Sequence, residues 1–368
     1  TGFKGAHCVL YRNLGNGRFE DVSKKAGIQV FEEQGAMGPQ PAGKSLGVYV
    51  CDVDDDGFPD IFVANDTTRN FFFHNRGNGT FEEIGKLAGV AWAEGKARGA
   101  MGIDGGECRC ALVKQPGRRR FGIALANFAD EPITLLGLDD PKQLLFTEVA
   151  MAEGIGGPSR VPLKFGIFFF DYDLDGRQDL LTCNGHLEPD INKVQASQTY
   201  EQPALLFWNT GSKPTFVRVT EKEAGPDLFK HMVGRGCAFA DIDGDGYLDV
   251  VLVANGGKAR LLRNNGGTGN NWIRLNLEGD GECSNRSAIG ARVTVEAGGM
   301  IQRQQVQSAR GYLSQSELTL TFGLGKATQV DRVVVEWPGK RGFKQEFSKL
   351  VINKVHHLKQ GEEKTVRK

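Results

Sequence analysis

The sequence predicts an all-β chain: a β-propeller of about four blades plus a partial one, followed by a small sandwich or barrel-like β-domain. Three observations carry this. Glycine supplies 50 of the 368 residues, about twice the usual share, so tight turns must be frequent. A unit of strand, acidic loop and strand recurs three times. An Asn-Gly hairpin leading into a Phe-x-x-apolar segment recurs alongside it, with starting phenylalanines 62, 65 and 70 residues apart.

The hairpins come first in chain order. Arg12-Asn-Leu-Gly-Asn-Gly-Arg-Phe19 opens the chain, and His74-Asn-Arg-Gly-Asn-Gly-Thr-Phe81 and Trp208-Asn-Thr-Gly211 repeat its theme. Asn-Gly between apolar runs is a strong hairpin signal because both residues accept positive φ. The segments that follow begin at Phe19, Phe81, Phe146 and Phe216 and close on Gly27, Gly89, Gly154 and Gly225. Between hairpins stand glycine-led apolar runs at Gly47, Gly166 and Gly236, each entering an acidic loop. Four short strands per period is the pattern of a propeller blade.

The acidic loops carry the chemistry. Asp52, Asp54, Asp56 and Asp60 form the first, Asp171, Asp173, Asp175 and Asp179 the second, and Asp241, Asp243, Asp245 and Asp249 the third. Carboxylates at positions 1, 3 and 5 converge on one point. Glycine at 6 permits the turn, the backbone carbonyl at 7 (Phe58, Arg177, Tyr247) adds a ligand, and Asp at 9 closes the shell. A hard, all-oxygen set of this kind suits Ca²⁺ better than zinc or copper, and its flexibility disfavours the tight octahedron of Mg²⁺. Three Ca²⁺ sites are therefore expected, with a structural role. An EF-hand is excluded: position 12 holds Val63, Thr182 and Leu252 in place of the bidentate glutamate, and the flanks read as strands.

A fourth loop is expected between the lead-in strand ending at Asp104 and the returning strand from Phe121, but its carboxylate set is absent. No metal is expected there. Arg118, Arg119 and Arg120 read as a solvated hairpin tip, with an anion-binding patch as the alternative. The remaining candidate cluster is Asn184-Gly-His186-Leu-Glu188-Pro-Asp190, which reads as a polar blade connection rather than as an acid–base site. No catalytic residue and no bound organic cofactor is expected.

After Arg263-Asn-Asn-Gly-Gly267 the pattern changes to alternating strands without acidic loops: Trp272–Leu277, Ala291–Glu296, Leu318–Phe322 and Val330–Trp337. The expected division is 1–266 for the blades, 268–340 for the β-domain, and 341–368 for a terminal strand and a charged, frayed tail. Forty-five basic residues balance 45 acidic ones, which argues against a nucleic-acid binder. No apolar run approaches the ~18–20 residues that span a bilayer. Seven dispersed cysteines form no disulfide framework, and the Cys108/Cys110 pair lacks the partners of a zinc site.

These residues carry a family resemblance. The acidic loops and blade repeats resemble the FG-GAP/VCBS repeats of integrin-α-like propellers. Ser284–Val295, with Gly311-Tyr-Leu-Ser-Gln-Ser316, Phe322-Gly-Leu-Gly325 and Val335-Glu-Trp-Pro338, looks like the ASPIC/UnbV domain. The combined order is similar to the cartilage acidic protein family and its bacterial relatives. That resemblance implies a secreted, periplasmic or cell-surface protein whose calcium-fixed propeller serves adhesion or protein interaction. The ligand would be a protein or a glycan. Calcium-loop propellers also occur in lectins and polysaccharide lyases, so carbohydrate handling is the alternative. Such propellers ordinarily have more blades than are counted here, and Arg12-Asn13 matches the late part of a blade, so upstream sequence is expected.

Overall fold

The structure, a computed structural model, describes residues 3–33, 35, 38–108, 121–339 and 343–362. Three four-stranded antiparallel sheets follow one another along the chain. The first blade is Ser45–Cys51, Asp60–Asn65, Phe71–Asn75 and Phe81–Glu83. The second is Ala100–Gly106, Gly122–Asn127, Thr134–Asp140 and Leu145–Glu148. The third is Lys164–Phe170, Asp179–Asn184, Leu205–Asn209 and Phe216–Arg218. A fourth blade has three strands, Gly234–Ala240, Asp249–Ala254 and Arg260–Leu262. The hairpin Tyr11–Gly15/Arg18–Asp21 precedes them as the partial unit.

The first strand of each blade packs beside the first strand of the next. In the third blade this buries the whole run from Lys164 to Phe170, because neighbours cover both faces. The first blade's inner strand, by contrast, leaves Leu46, Val48 and Val50 exposed on its outer flank. The recurring glycines now have a physical reason. A Cβ on Gly47 would lie 2.5 Å from the Met101 carbonyl oxygen, one on Gly102 2.1 Å from that of Phe165, and one on Gly166 2.8 Å from that of Arg235. Each inner strand thus approaches the next too closely for any side chain. A second set works at the rim. Gly27, Gly89 and Gly154, all at positive φ, lie against the backbone oxygens of Phe81, Phe146 and Phe216 in the following blade.

Gly102→Ala is accordingly expected to cost about 1–3 kcal/mol, because a backbone oxygen cannot move aside without parting two strands. Urea denaturation checks this against Gly157→Ala, where the added methyl meets nothing within 4 Å. Equal midpoints for the two variants would contradict this close approach.

Two departures from the sequence reading are local. One-turn helices at Ser23–Ala26 and Glu221–Ala224 form the second half of the segments that begin at Phe19 and Phe216. Beyond the blades, two sheets face each other. One orders Leu320–Gly325, Asn271–Glu278 and Val355–Lys359, the last pair parallel. The other orders Met300–Gln305, Arg292–Ala297, Arg332–Glu336 and Lys344–Phe347. Alternate residues Val293, Val295, Val333 and Val335 meet Ile273, Leu275, Phe322 and Leu358 in one apolar core. Each such side chain contributes roughly 1.5–3 kcal/mol on burial.

The sandwich is joined to the blades by a finger from Gln307 to Glu317. Gly311 exchanges backbone hydrogen bonds with Ile103, Tyr312 packs on Phe165, and Glu317 donates its amide to Phe239. At the fourth blade a Cβ on Gly236, which occupies the same place in its strand as Gly47 and Gly166, would meet Ser314 Oγ at 2.7 Å. The finger stands there where the other blades meet a neighbouring strand.

Candidate metal centre

Each acidic loop joins the first and second strands of its blade, and all three close through the same hydrogen bonds. The first aspartate accepts from the amides at positions 5 and 6. Asp52 takes Asp56 (3.0 Å) and Gly57 (2.8 Å), Asp171 takes Asp175 (3.1 Å) and Gly176 (2.8 Å), and Asp241 takes Asp245 (3.1 Å) and Gly246 (2.9 Å). The fifth-position aspartate accepts from the seventh amide: Asp56 from Phe58 (2.7 Å), Asp175 from Arg177 (2.8 Å), Asp245 from Tyr247 (2.9 Å). Position 6 has φ of 91°, 86° and 94°, the left-handed turn that glycine allows. Position 4 is left-handed as well, at Asp55, Leu174 and Gly244, which the sequence pattern did not disclose.

The turn gathers carboxylates. Ligand oxygens of Asp52, Asp54 and Asp56 lie within 4.8 Å of one another, as do those of Asp171, Asp173 and Asp179, and of Asp241, Asp243 and Asp245. Asp175 stands apart from its group and is gripped by Arg177. The ninth-position aspartates have a further task. Asp60 accepts from the amides of Val53 (3.2 Å) and Asn75 (2.8 Å), Asp179 from Tyr172 (3.1 Å) and Asn209 (2.7 Å), and Asp249 from Ile242 (3.0 Å) and Asn264 (2.7 Å). They brace each loop against the third strand. Only Asp179 also belongs to its ligand group.

Electrostatics distinguish the loops. Burial, then repulsion from neighbouring aspartates, holds the carboxyls of Asp171 and Asp179 well above the usual range. Burial and Asp173 push Asp175 up to about 6, and burial pushes Asp60 up to about 6. Asp52 is raised by burial against the pull of Arg292. Clustered carboxylates forced together in this way, with oxygen donors alone, could hold a hard divalent cation.

In the second blade Asp104 is fully buried and pairs with Arg310 at 2.8 Å. Cys110 and Arg118–Arg120 lie outside the described residues. His186 accepts the Glu188 amide on Nδ1 (3.0 Å) and sits edge-on to Phe128, while Glu188 and Asp190 are exposed. No acid–base pair converges there. Sequence reading passed over Lys164, which is fully buried at the start of an apolar strand. Its ammonium donates to the carbonyls of Glu131 (2.6 Å), Pro162 (2.7 Å) and Ser159 (2.8 Å), and burial pushes its pKa down to about 7.

Comparison with known proteins picks out the segments that carry these loops. Residues 52–105 and 171–252 match the FG-GAP-like repeat, and residues 281–365 match the ASPIC and UnbV model. Cartilage acidic protein 1 of Mus musculus is 24% identical over 348 residues, covering 91% of this chain and 46% of the relative. The Homo sapiens protein is 25% identical over 322 residues, covering 84% and 43%. The chain spans less than half the length of these curated relatives. Among solved structures, the V. cholerae biofilm matrix protein Bap1 is 11% identical with a TM-score of 0.30, over 94% of this chain and 59% of that one. An exo-β-1,3-galactanase from Phanerochaete chrysosporium is 10% identical with a TM-score of 0.26, over 90% and 96%. Likeness at that level carries no argument about activity. The chain thus carries FG-GAP-like repeats followed by an ASPIC and UnbV domain, and is a distant relative of cartilage acidic protein 1.

Proposed function

We propose that this chain is a calcium-binding, non-catalytic interaction module of the cell exterior, with three ions fixing the blade hairpins. The observation that carries this reading is the threefold recurrence of one loop geometry, with three carboxylates inside 4.8 Å each time. The proposed ligands are Asp52, Asp54, Asp56, Asp60 and the Phe58 carbonyl; Asp171, Asp173, Asp175, Asp179 and the Arg177 carbonyl; and Asp241, Asp243, Asp245, Asp249 and the Tyr247 carbonyl. Bound calcium would add positive charge at the centre of each cluster. The chain's own contribution is the pre-bent turn, the brace from the ninth aspartate, and blades rigid enough to present a protein or glycan ligand with a fixed surface. Extracellular modules bind calcium at roughly 0.1–1 mM, which matches weak loop sites of this kind to an exterior location. Among the described residues no helix is long and apolar enough to cross a membrane.

Isothermal titration of the whole chain with calcium tests the reading. About three sites are expected, and Asp173→Asn should remove one. Absence of binding heat at millimolar calcium would end it.

A further inference from the structure

The C-terminal sandwich touches all three acidic loops, but in two different ways. At the Asp52 loop, Arg292 reaches Asp52 Oδ2 at 2.6 Å and Asp55 Oδ1 at 3.0 Å. At the Asp241 loop, Arg274 reaches Asp241 Oδ2 at 2.8 Å, and Glu317, which Arg274 also holds, accepts the Asp241 amide at 3.1 Å. Both arginines take the outer oxygen of the loop's first aspartate, the one already bonded to the glycine amide at position 6. The sandwich therefore brings its own positive charge to these two loops.

The Asp171 loop receives none. Among the described residues, the ion pair on this loop is the internal one between Arg177 and Asp175. What the sandwich and its linker offer instead is neutral and grips the backbone. The Gly325 amide donates to the Leu174 carbonyl at 3.0 Å, and Thr268 Oγ1 and Asn270 Nδ2 donate to the Asp173 carbonyl at 3.0 and 2.9 Å. Gly323 packs so tightly that a Cβ there would lie 2.2 Å from Asp171 Oδ2. Leu174, left-handed at φ 60° and fully buried, is held at the centre of this contact. A leucine in that conformation persists only where its surroundings over-determine it.

We propose that the Asp171 loop is a cation-dependent latch between blades and sandwich, while Arg292 and Arg274 keep the other two loops docked whether or not an ion is present. The proposal rests on the calcium reading above. Without added positive charge, Asp171, Asp173 and Asp179 repel one another across less than 4.8 Å, and the turn carrying the Asp173 and Leu174 carbonyls spreads. Hydrogen bonds to those carbonyls then lose their alignment. At the Asp52 and Asp241 loops a guanidinium offsets part of the same repulsion, so their contacts persist. Coupling runs both ways: whatever the ion does for the latch, an intact latch does for ion affinity.

Hydrogen exchange on the full chain, with calcium and with chelator, reads the latch directly. Chelation is expected to speed exchange of the Gly325 amide by about tenfold or more, within the usual range of such coupling. The Asp241 amide and the sandwich-interior amide of Val293 should stay protected. Calcium that binds by calorimetry yet leaves Gly325 unchanged would overturn the latch and spare the calcium reading. Equal loosening at Gly325 and Asp241 would overturn the distinction between the loops. No binding at all would overturn both. Asn270→Ala supplies an independent check, since it should weaken one calcium site by roughly fivefold or more, and three unaltered affinities would contradict the coupling.

Discussion

Chelating calcium is expected to lower the melting temperature of this chain by on the order of 5–10 °C. An ion that binds only the folded state at about ten times its Kd adds roughly 1.4 kcal/mol, and three such sites add about 4 kcal/mol. Folded chains hold only ~5–15 kcal/mol in total, so this is a large share. The shift per kilocalorie falls with chain length, which sets the upper end of the range. The loops explain why the effect should be large here. Asp171 and Asp179 are fully buried, their ninth-position brace ties the second strand to the third, and the sandwich rests on the same turn. Scanning calorimetry at matched ionic strength, with calcium or with chelator, measures it. Superimposable transitions would remove the structural role of the ion. Magnesium should substitute poorly, because it needs a tight octahedron that these loops do not impose.

Much of this architecture is legible in the sequence because its determinants are local. A run of apolar residues, an Asp-x-Asp-x-Asp-Gly turn and a second run fix a hairpin without help from elsewhere, and repetition identifies the blade. The glycines are visible as a repeat, but their reason lies in a neighbouring strand: Gly47 is small because of Met101, 54 positions away. Asp60, Asp179 and Asp249 stand out in the sequence as the ninth position of each acidic loop, whereas their bonds to Asn75, Asn209 and Asn264 depend on where the third strand returns. The strand at Met300–Gln305 is rich in glutamine, so its periodicity does not separate it from a loop. In the sequence Asp104 shows only as the end of a strand. Its partner stands 206 residues on, and no spacing rule connects the two.

That partner gives the other large expectation: Arg310→Met should destabilise the chain by about 3–5 kcal/mol, the usual cost of stranding one member of a buried ion pair. Asp104 is fully buried and takes the Arg310 guanidinium on both oxygens, at 3.1 and 2.8 Å, with the backbone amides of Phe169 (2.8 Å) and Gly105 as further donors. Arg310 itself is 9% exposed and lies over the Phe239 ring, so the pair sits where the finger crosses three blades. A surface salt bridge would be worth ~1 kcal/mol or less, and a loss of that size by urea denaturation would show that the pair does not join finger to blades. Pairing Arg310→Met with Asp104→Asn should recover part of the loss, because an amide needs no counter-charge. The pH dependence has a definite sign. Burial already pushes the Asp104 carboxyl up, and Arg310 pulls it back. Without the arginine the folded chain binds a proton there that the unfolded chain releases near pH 4. Stability of Arg310→Met is then retained in acid and falls as pH rises through the folded pKa, while the double variant shows no such slope from this site. A single variant that is no weaker at pH 8 than at pH 5, relative to the double, would mean that Asp104 finds another partner when Arg310 is gone.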